Sequence, residues 1–263
     1  MVLVLVGVLL AAPLGCGDDG KGTTGATSTP TTSTPVSSTS TASPTTTPST
    51  TAGGPVTTSP FGTTFAYQPL WPFRSLAEAD AWQESYRSGG HQPWHLDAAQ
   101  TALSFASGYL GYTEIDKTTS TTPAKDGVLV AVGSATEGGR ISTAAVVHLL
   151  RFGAGTDAPW EIVGTEDKDF SLTEPRYGAT VTSPLTVGGL ITGVDESIHV
   201  QVRQLSSEAP IGDACCVGAG GDRSPWQATV TFQGATDHVL TVAASTGGHL
   251  LKVERFTVTA VRV

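Results

Sequence analysis

The residues with the most chemical potential lie in "HQPWHLD", where His91, His95 and Asp97 could gather at a metal or form an acid/base group. Pro93 breaks any helical i,i+4 alignment of the two histidines, and Asp97 is placed to cap a helix. The spacing therefore predicts a loop with a buried Trp94 leading into that helix. Asp195 and Glu196 form a second acidic set. Carboxylates doing glycosidase work face each other across a substrate at about 5 to 9.5 Å, whereas neighbours in a strand point to opposite faces. Glu166, Asp167 and Asp169 in "GTEDKDF" lack the glycine turn and distal glutamate of a calcium loop and read as a solvated acidic turn. His148, in an apolar strand, reads as a core or rim histidine. Cys215 and Cys216 are adjacent, so they cannot staple two sheets; they form either a vicinal disulfide or two thiols, and they lack the further ligands of a zinc site. The chain contains no G-x-S-x-G, H-E-x-x-H or Walker pattern. The expectation is a protein that is not an enzyme, with no catalytic residues, no metal and no cofactor.

The elements that would carry these groups fall into two sets. In residues 67–173, "SLAEADAWQESYRSGG" opens with Ser75 and Glu78 at capping-box spacing, puts Leu76, Ala79, Trp82 and Tyr86 on one face, and ends at Gly89-Gly90. A second helix begins at Asp97 with the stripe Ala99, Ala102, Leu103, Ala106 and Leu110, and stops at Gly111. Strands follow at "GVLVAVGSA", "RISTAAVVHLLRF" and "WEIVGT". This order predicts an α+β domain, two helices packed on an antiparallel sheet. Residues 174–263 carry no helical period. "ESIHVQVRQL" turns Ile198, Val200 and Val202 inward and His199, Gln201 and Arg203 outward; "WQATVTF" and "HVLTVAA" add Ala228, Val230, Phe232 and Leu240, Val242, Ala244, and "RFTVTAVRV" supplies a last strand. Short alternating strands in about 90 residues predict an all-β sandwich.

Within that half, "SPLTVGGLITGVDESIHVQVRQ" resembles the immunoglobulin-like domain of bacterial spore germination proteins. Ser183, Pro184, Leu185, Val187, Gly189 and Glu196 match the family core, and the likeness continues through Trp226 to Val263. Val194-Asp195 replaces the family's usual aromatic-bearing turn. The resemblance implies an immunoglobulin-like sandwich in which Pro184 opens an edge strand, Gly188 and Gly189 permit a bulge or close backbone approach, and Asp195 and Glu196 occupy a turn. "SSEAPIGDACCVGAGGDRSPW", residues 206–226, is the least family-like part and reads as a long loop. It is either a binding loop, carried by Cys215, Cys216, Asp222 and Trp226, or a plain surface loop.

Residues 2–10 are almost wholly apolar, and "PLGC" resembles the lipobox of bacterial lipoproteins, which implies a signal peptide over 1–16 and lipid attachment at Cys16; an ordinary secretory signal is the other reading. Residues 17–66 are a Thr/Ser/Pro-rich linker with no charge between Lys21 and Arg74, a composition expected to stay disordered. This arrangement resembles that of actinobacterial lipoproteins. A net charge of -9 with only 14 Lys+Arg argues against nucleic acid and against an anionic membrane surface as partner. These features predict a lipid-anchored lipoprotein on the extracellular face of the cell membrane, acting as a non-catalytic binding or assembly module toward an envelope protein or cell-wall polymer. The alternative is a small-ligand carrier or hydrolase with its pocket in the α+β domain, using His91, His95 or Asp97.

Overall fold

The computed structural model describes residues 66–263. The expected signal peptide, Cys16 and the linker up to residue 65 lie outside the described residues. The described chain has two α-helices and is otherwise mostly β, in two sheets.

Helix α1 (Leu76–Gly89) starts at Ser75, whose side chain accepts from the Glu78 N–H at 3.2 Å, and ends where Gly90, at φ 69°, donates to the Tyr86 carbonyl. Glu78 reaches back one residue further than a capping box would, to the Arg74 N–H at 2.8 Å. Helix α2 (Ala98–Ser104) begins at Asp97 and passes into a π-helical turn, Phe105–Tyr109. That wider turn rotates the stripe, so Phe105 and Ala106 both reach the core beside Ala102 and Leu110, while Ala99 and Leu103 are only partly buried.

The first sheet is an antiparallel meander of β1 (Lys117–Ala124), β2 (Gly127–Ala135), β3 (Ile141–Arg151) and β4 (Trp160–Thr165), with α2 packed on it. Its β1, "KTTSTTPA", escapes a periodicity search because none of its side chains is buried. Beyond β4, Trp71 pairs with Ile162, which fixes the chain leading into α1 along that edge.

The second sheet runs β5 (Phe170–Glu174), β7 (Leu185–Arg203), β9 (Val239–Thr246), β10 (Arg255–Arg262) and β6 (Ala179–Thr180), with β8 (Gly212–Val230) on β7. The β7–β8 ladder corrects two expectations. Residues 206–226 are not a loop: from Gly212 onward they form a 19-residue strand paired with β7 along its length. Asp195 and Glu196 do not occupy a turn between strands either; they form an irregularity inside β7, where Asp195 has φ 56° and the register slips between Gly193 and Glu196. Gly218, Gly220 and Gly221 face this point. A glycine-rich stretch reads as a loop, yet here it lets a long hairpin bend without breaking its ladder. The first half of β7 pairs with β5 and its second half with β9. Pro184 therefore leads into a strand with neighbours on both sides. At Gly189 a Cβ would run into the Ser171 carbonyl, so the close backbone approach expected there is present.

Two cores result. Phe170, Val187, Ile191, Trp226 and Val230 meet Ile198, Val200, Val202, Leu240 and Val242 in one. The other joins Phe105, Val147, Leu149 and Ile162 to Phe256, Val258, Ala260 and Ala243 of β9 and β10. Both faces of β9 and β10 are thus covered, which is why Thr241, Ala243 and Ser245 are as buried as their apolar neighbours. Arg203, expected to face outward, is 7% exposed and lies over the Tyr109 ring at 5.3 Å. The boundary expected between residues 173 and 174 falls inside β5, which pairs with β7, and residues from either side of it share the second core described.

Candidate functional site

A cleft of about 270 Å³ opens where β4 passes β10 and β5. Val163, Leu172 and Val258 give it apolar walls, and two tyrosines stand over them. Tyr177 follows β5 in a turn closed by Gly178, at φ 70°, and its hydroxyl accepts from the Gln68 N–H at 2.8 Å and donates to the Gln68 carbonyl at 3.2 Å. These bonds tie the chain before Leu70 to the cleft and place Tyr67 with its ring edge-on to Tyr177, centroids 6.3 Å apart. Tyr67 also meets the His148 ring at 5.5 Å and donates its hydroxyl to Asp126 Oδ2 at 3.2 Å. Burial raises the pKa of both phenols, and for Tyr67 the Asp126 carboxylate adds to it. Both hydroxyls therefore keep their protons at neutral pH and serve as donors.

His148, on β3, is 7% exposed. Its Nδ1 lies 3.2 Å from Glu166 Oε1 and its Nε2 3.3 Å from the Asp126 carbonyl. Both partners are acceptors, so each ring nitrogen faces a protein group. Thr165 Oγ1 and Thr257 Oγ1 are 2.9 Å apart, and the Val258 N–H donates to Thr165 at 2.8 Å. The cleft therefore presents two ring faces, a carboxylate held to its wall and a row of hydroxyls. Both nitrogens of its histidine are engaged by protein groups, which suits holding a ligand better than moving a proton on it.

Of the groups singled out from the sequence, His148, Glu166 and Asp167 line this cleft, whereas those of "HQPWHLD" and of residues 195–226 do not. Asp97 caps α2, its Oδ1 accepting from the Ala99 and Gln100 N–H groups at 2.9 and 3.1 Å. His91 is exposed. His95 is the buried member of that segment, 4% exposed among the rings of Phe73, Trp82 and Trp94, while Trp94, expected to be buried, is half-buried and stacks on Trp71. The segment is a 3₁₀ turn, Pro93–Leu96, rather than an open loop. Among the described residues no three His, Cys, Asp or Glu side chains are grouped so as to hold a metal.

Of the proposed binding loop, Cys215 and Cys216 are disulfide-bonded and exposed, and Asp222 is exposed on β8. Trp226 is 5% exposed and packs beside Phe170 at 5.8 Å, so it belongs to the core. The cleft tyrosines were not foreseen. Tyr67, His148, Glu166 and Tyr177 come from segments far apart in the chain, and no local pattern links them. No family model, no curated protein and no solved structure matches the chain.

Proposed function

We propose that the chain is a non-catalytic binding module of the cell envelope: a lipoprotein attached at Cys16, spaced from the membrane by residues 17–66, that takes a ring-sized unit of a cell-wall polymer in the cleft beneath Tyr67 and Tyr177. The observation that carries this is the convergence, in about 270 Å³, of two tyrosine rings, the Glu166 carboxylate and the Thr165 and Thr257 hydroxyls. A sugar ring offers apolar C–H faces to aromatic rings and hydroxyls to carboxylate and hydroxyl partners, and this volume admits one such ring. The apolar run at 2–10, "PLGC" and the uncharged linker support the exported, anchored placement. The immunoglobulin-like sandwich of spore-germination type remains the reading of the C-terminal strands that we favour. It is supported by Val187, Val200, Val230 and Val242 meeting in one core across the bent β7–β8 hairpin.

Calorimetric titration of the purified chain with soluble cell-wall glycan fragments tests the cleft. Saturable binding is expected, with Tyr177→Ala or Glu166→Ala losing about 2 kcal/mol, roughly 30-fold in affinity. Absence of binding, or equal binding by the variants, would overturn the assignment. The anchor is tested separately: cells fed labelled palmitate should label the intact chain and not Cys16→Ser. Label retained in that variant, or absent from both, rules the anchor out.

A further inference from the structure

We propose that Cys215 and Cys216 form a thiol–disulfide exchange site on the open side of β8, with His199 as the proton donor and acceptor beside it and a dithiol, from a protein or a small molecule, as co-reactant.

The placement rests on strand register. Ile198 pairs with Val217 and Val200 with Ala214, so the two cysteines together oppose the one residue left between, His199. Such a bulge pushes its extra residue out of the ladder. Both cysteines are exposed, whereas Ala214 and Val217 on either side pack toward the core. Among the described strands β8 pairs with β7 alone, so no further strand covers the disulfide from the other side.

His199 is held for this position. Its Nε2 lies 2.9 Å from Asp213 Oδ2, and the same oxygen accepts from Gln201 Nε2 at 3.1 Å. Burial pushes the Asp213 carboxyl up, and the hydrogen bonds from His199 and Gln201 outweigh that, so it sits below its usual range. A carboxylate fixed in this way orients the ring and favours an N–H on Nε2, leaving Nδ1 as the nitrogen that gains and loses the proton. The groups around the ring are Asp213 on β8, Gln201 and then Arg203 along β7, and the neutral Ser245 across on β9.

In the forward direction a thiolate of the dithiol attacks the Sγ of one cysteine. The Sγ–Sγ bond breaks, its electron pair leaves on the second sulfur, and that thiolate takes the proton of the protonated His199 ring. The now neutral His199 takes the proton of the dithiol's second thiol, whose thiolate attacks the dithiol sulfur of the mixed disulfide; the S–S bond to the chain breaks, its electron pair leaves on the first cysteine sulfur, and His199 returns the proton to that thiolate. Two electrons pass to the chain, its disulfide becomes two thiols, and the dithiol becomes a disulfide. Adjacent cysteines also re-form the bond by the reverse route with an oxidised partner.

The test is stopped-time alkylation of the full chain in dithiothreitol, mapped by mass spectrometry to Cys215 and Cys216, with the thermal melt recorded under the same conditions. Both cysteines should be alkylated while the chain stays folded. His199→Gln should slow the step roughly tenfold near neutral pH and should alter the pH profile of the rate. Asp213→Asn should fall between them. Alkylation only after unfolding, or alkylation without any reductant, overturns the exchange site. A His199→Gln chain that keeps its fold with an unchanged rate and pH profile overturns the role given to His199.

Discussion

Phe256→Ala should cost about 3–5 kcal/mol and should weaken both halves of the described chain at once. Phe256 is fully buried on β10, a strand of the second sheet, yet its ring stands 5.4 Å from Tyr112 among the residues of α2, β2 and β3. Truncation leaves a cavity between the sheets that neither can fill without moving the other. Val258 and Ala260 lie in the same cluster, so repacking by small shifts is restricted. The check is chemical denaturation combined with native-state hydrogen exchange. Amides of β3 and β9 should lose protection by similar amounts and the melt should stay a single transition. If β9 loses protection and β3 keeps it, residues 67–173 and 174–263 stand independently and the shared core contributes little.

The parts of this fold that were legible in the sequence are those governed by neighbours in the chain. Asp97 caps its helix as its position suggested, and α1 stops at a left-handed glycine. Ile198, Val200 and Val202 face inward as their alternation required. What could not be read depends on contacts between distant segments. Thr241, Ala243 and Ser245 look like an outer face, because small or polar residues usually are one. They are covered because a second layer packs on them. Glycines at 218, 220 and 221 carry the signature of a loop, and only the pairing partner Gly193–Glu196 shows that they serve a bend. The cleft is the extreme case, since Tyr67 lies against residues about 80 and 110 positions away. Burial was misjudged at Trp94, where a 3₁₀ turn points the adjacent His95 ring inward instead.

That inward histidine and a buried acid give the chain an unusual dependence on pH. Glu161 on β4 is wholly buried; its Oε2 accepts from the Phe73 N–H at 3.2 Å and its Oε1 has no partner among the described residues. Burial holds its pKa well above the ordinary 4.5. His95, whose Nδ1 is likewise unpartnered, is lowered by burial from 6.5 to about 4. Each pH unit over which one proton separates the folded and unfolded states changes stability by about 1.4 kcal/mol.

Between 4.5 and 6.5 the unfolded chain has lost the Glu161 proton that the fold retains, so that residue makes stability fall with rising pH. Over the same interval the unfolded chain has gained a His95 proton that the fold refuses, so His95 makes stability rise. The two slopes oppose, and a nearly level top is expected. Above 6.5 His95 is neutral in both states and Glu161 acts alone. The slope left to Glu161 runs downward with rising pH, because burial raises its folded pKa, and it ends where Glu161 ionises within the fold. The lowered carboxyls of Asp157, Asp213 and Glu254 act only at more acid pH, and the raised tyrosines only near 10 and beyond.

Denaturant titrations at half-unit steps from pH 4 to 9 separate the pair. Glu161→Gln keeps the acceptor for Phe73 and should flatten the decline above 6.5 while exposing the His95 rise below it. His95→Phe keeps a ring among Phe73, Trp82 and Trp94, and should start the decline at 4.5. A Glu161→Gln chain that still declines above 6.5 as steeply as the parent places the proton elsewhere. In that case Glu161 is ionised in the fold, and its unpartnered oxygen needs a cation or water that burial would have to admit.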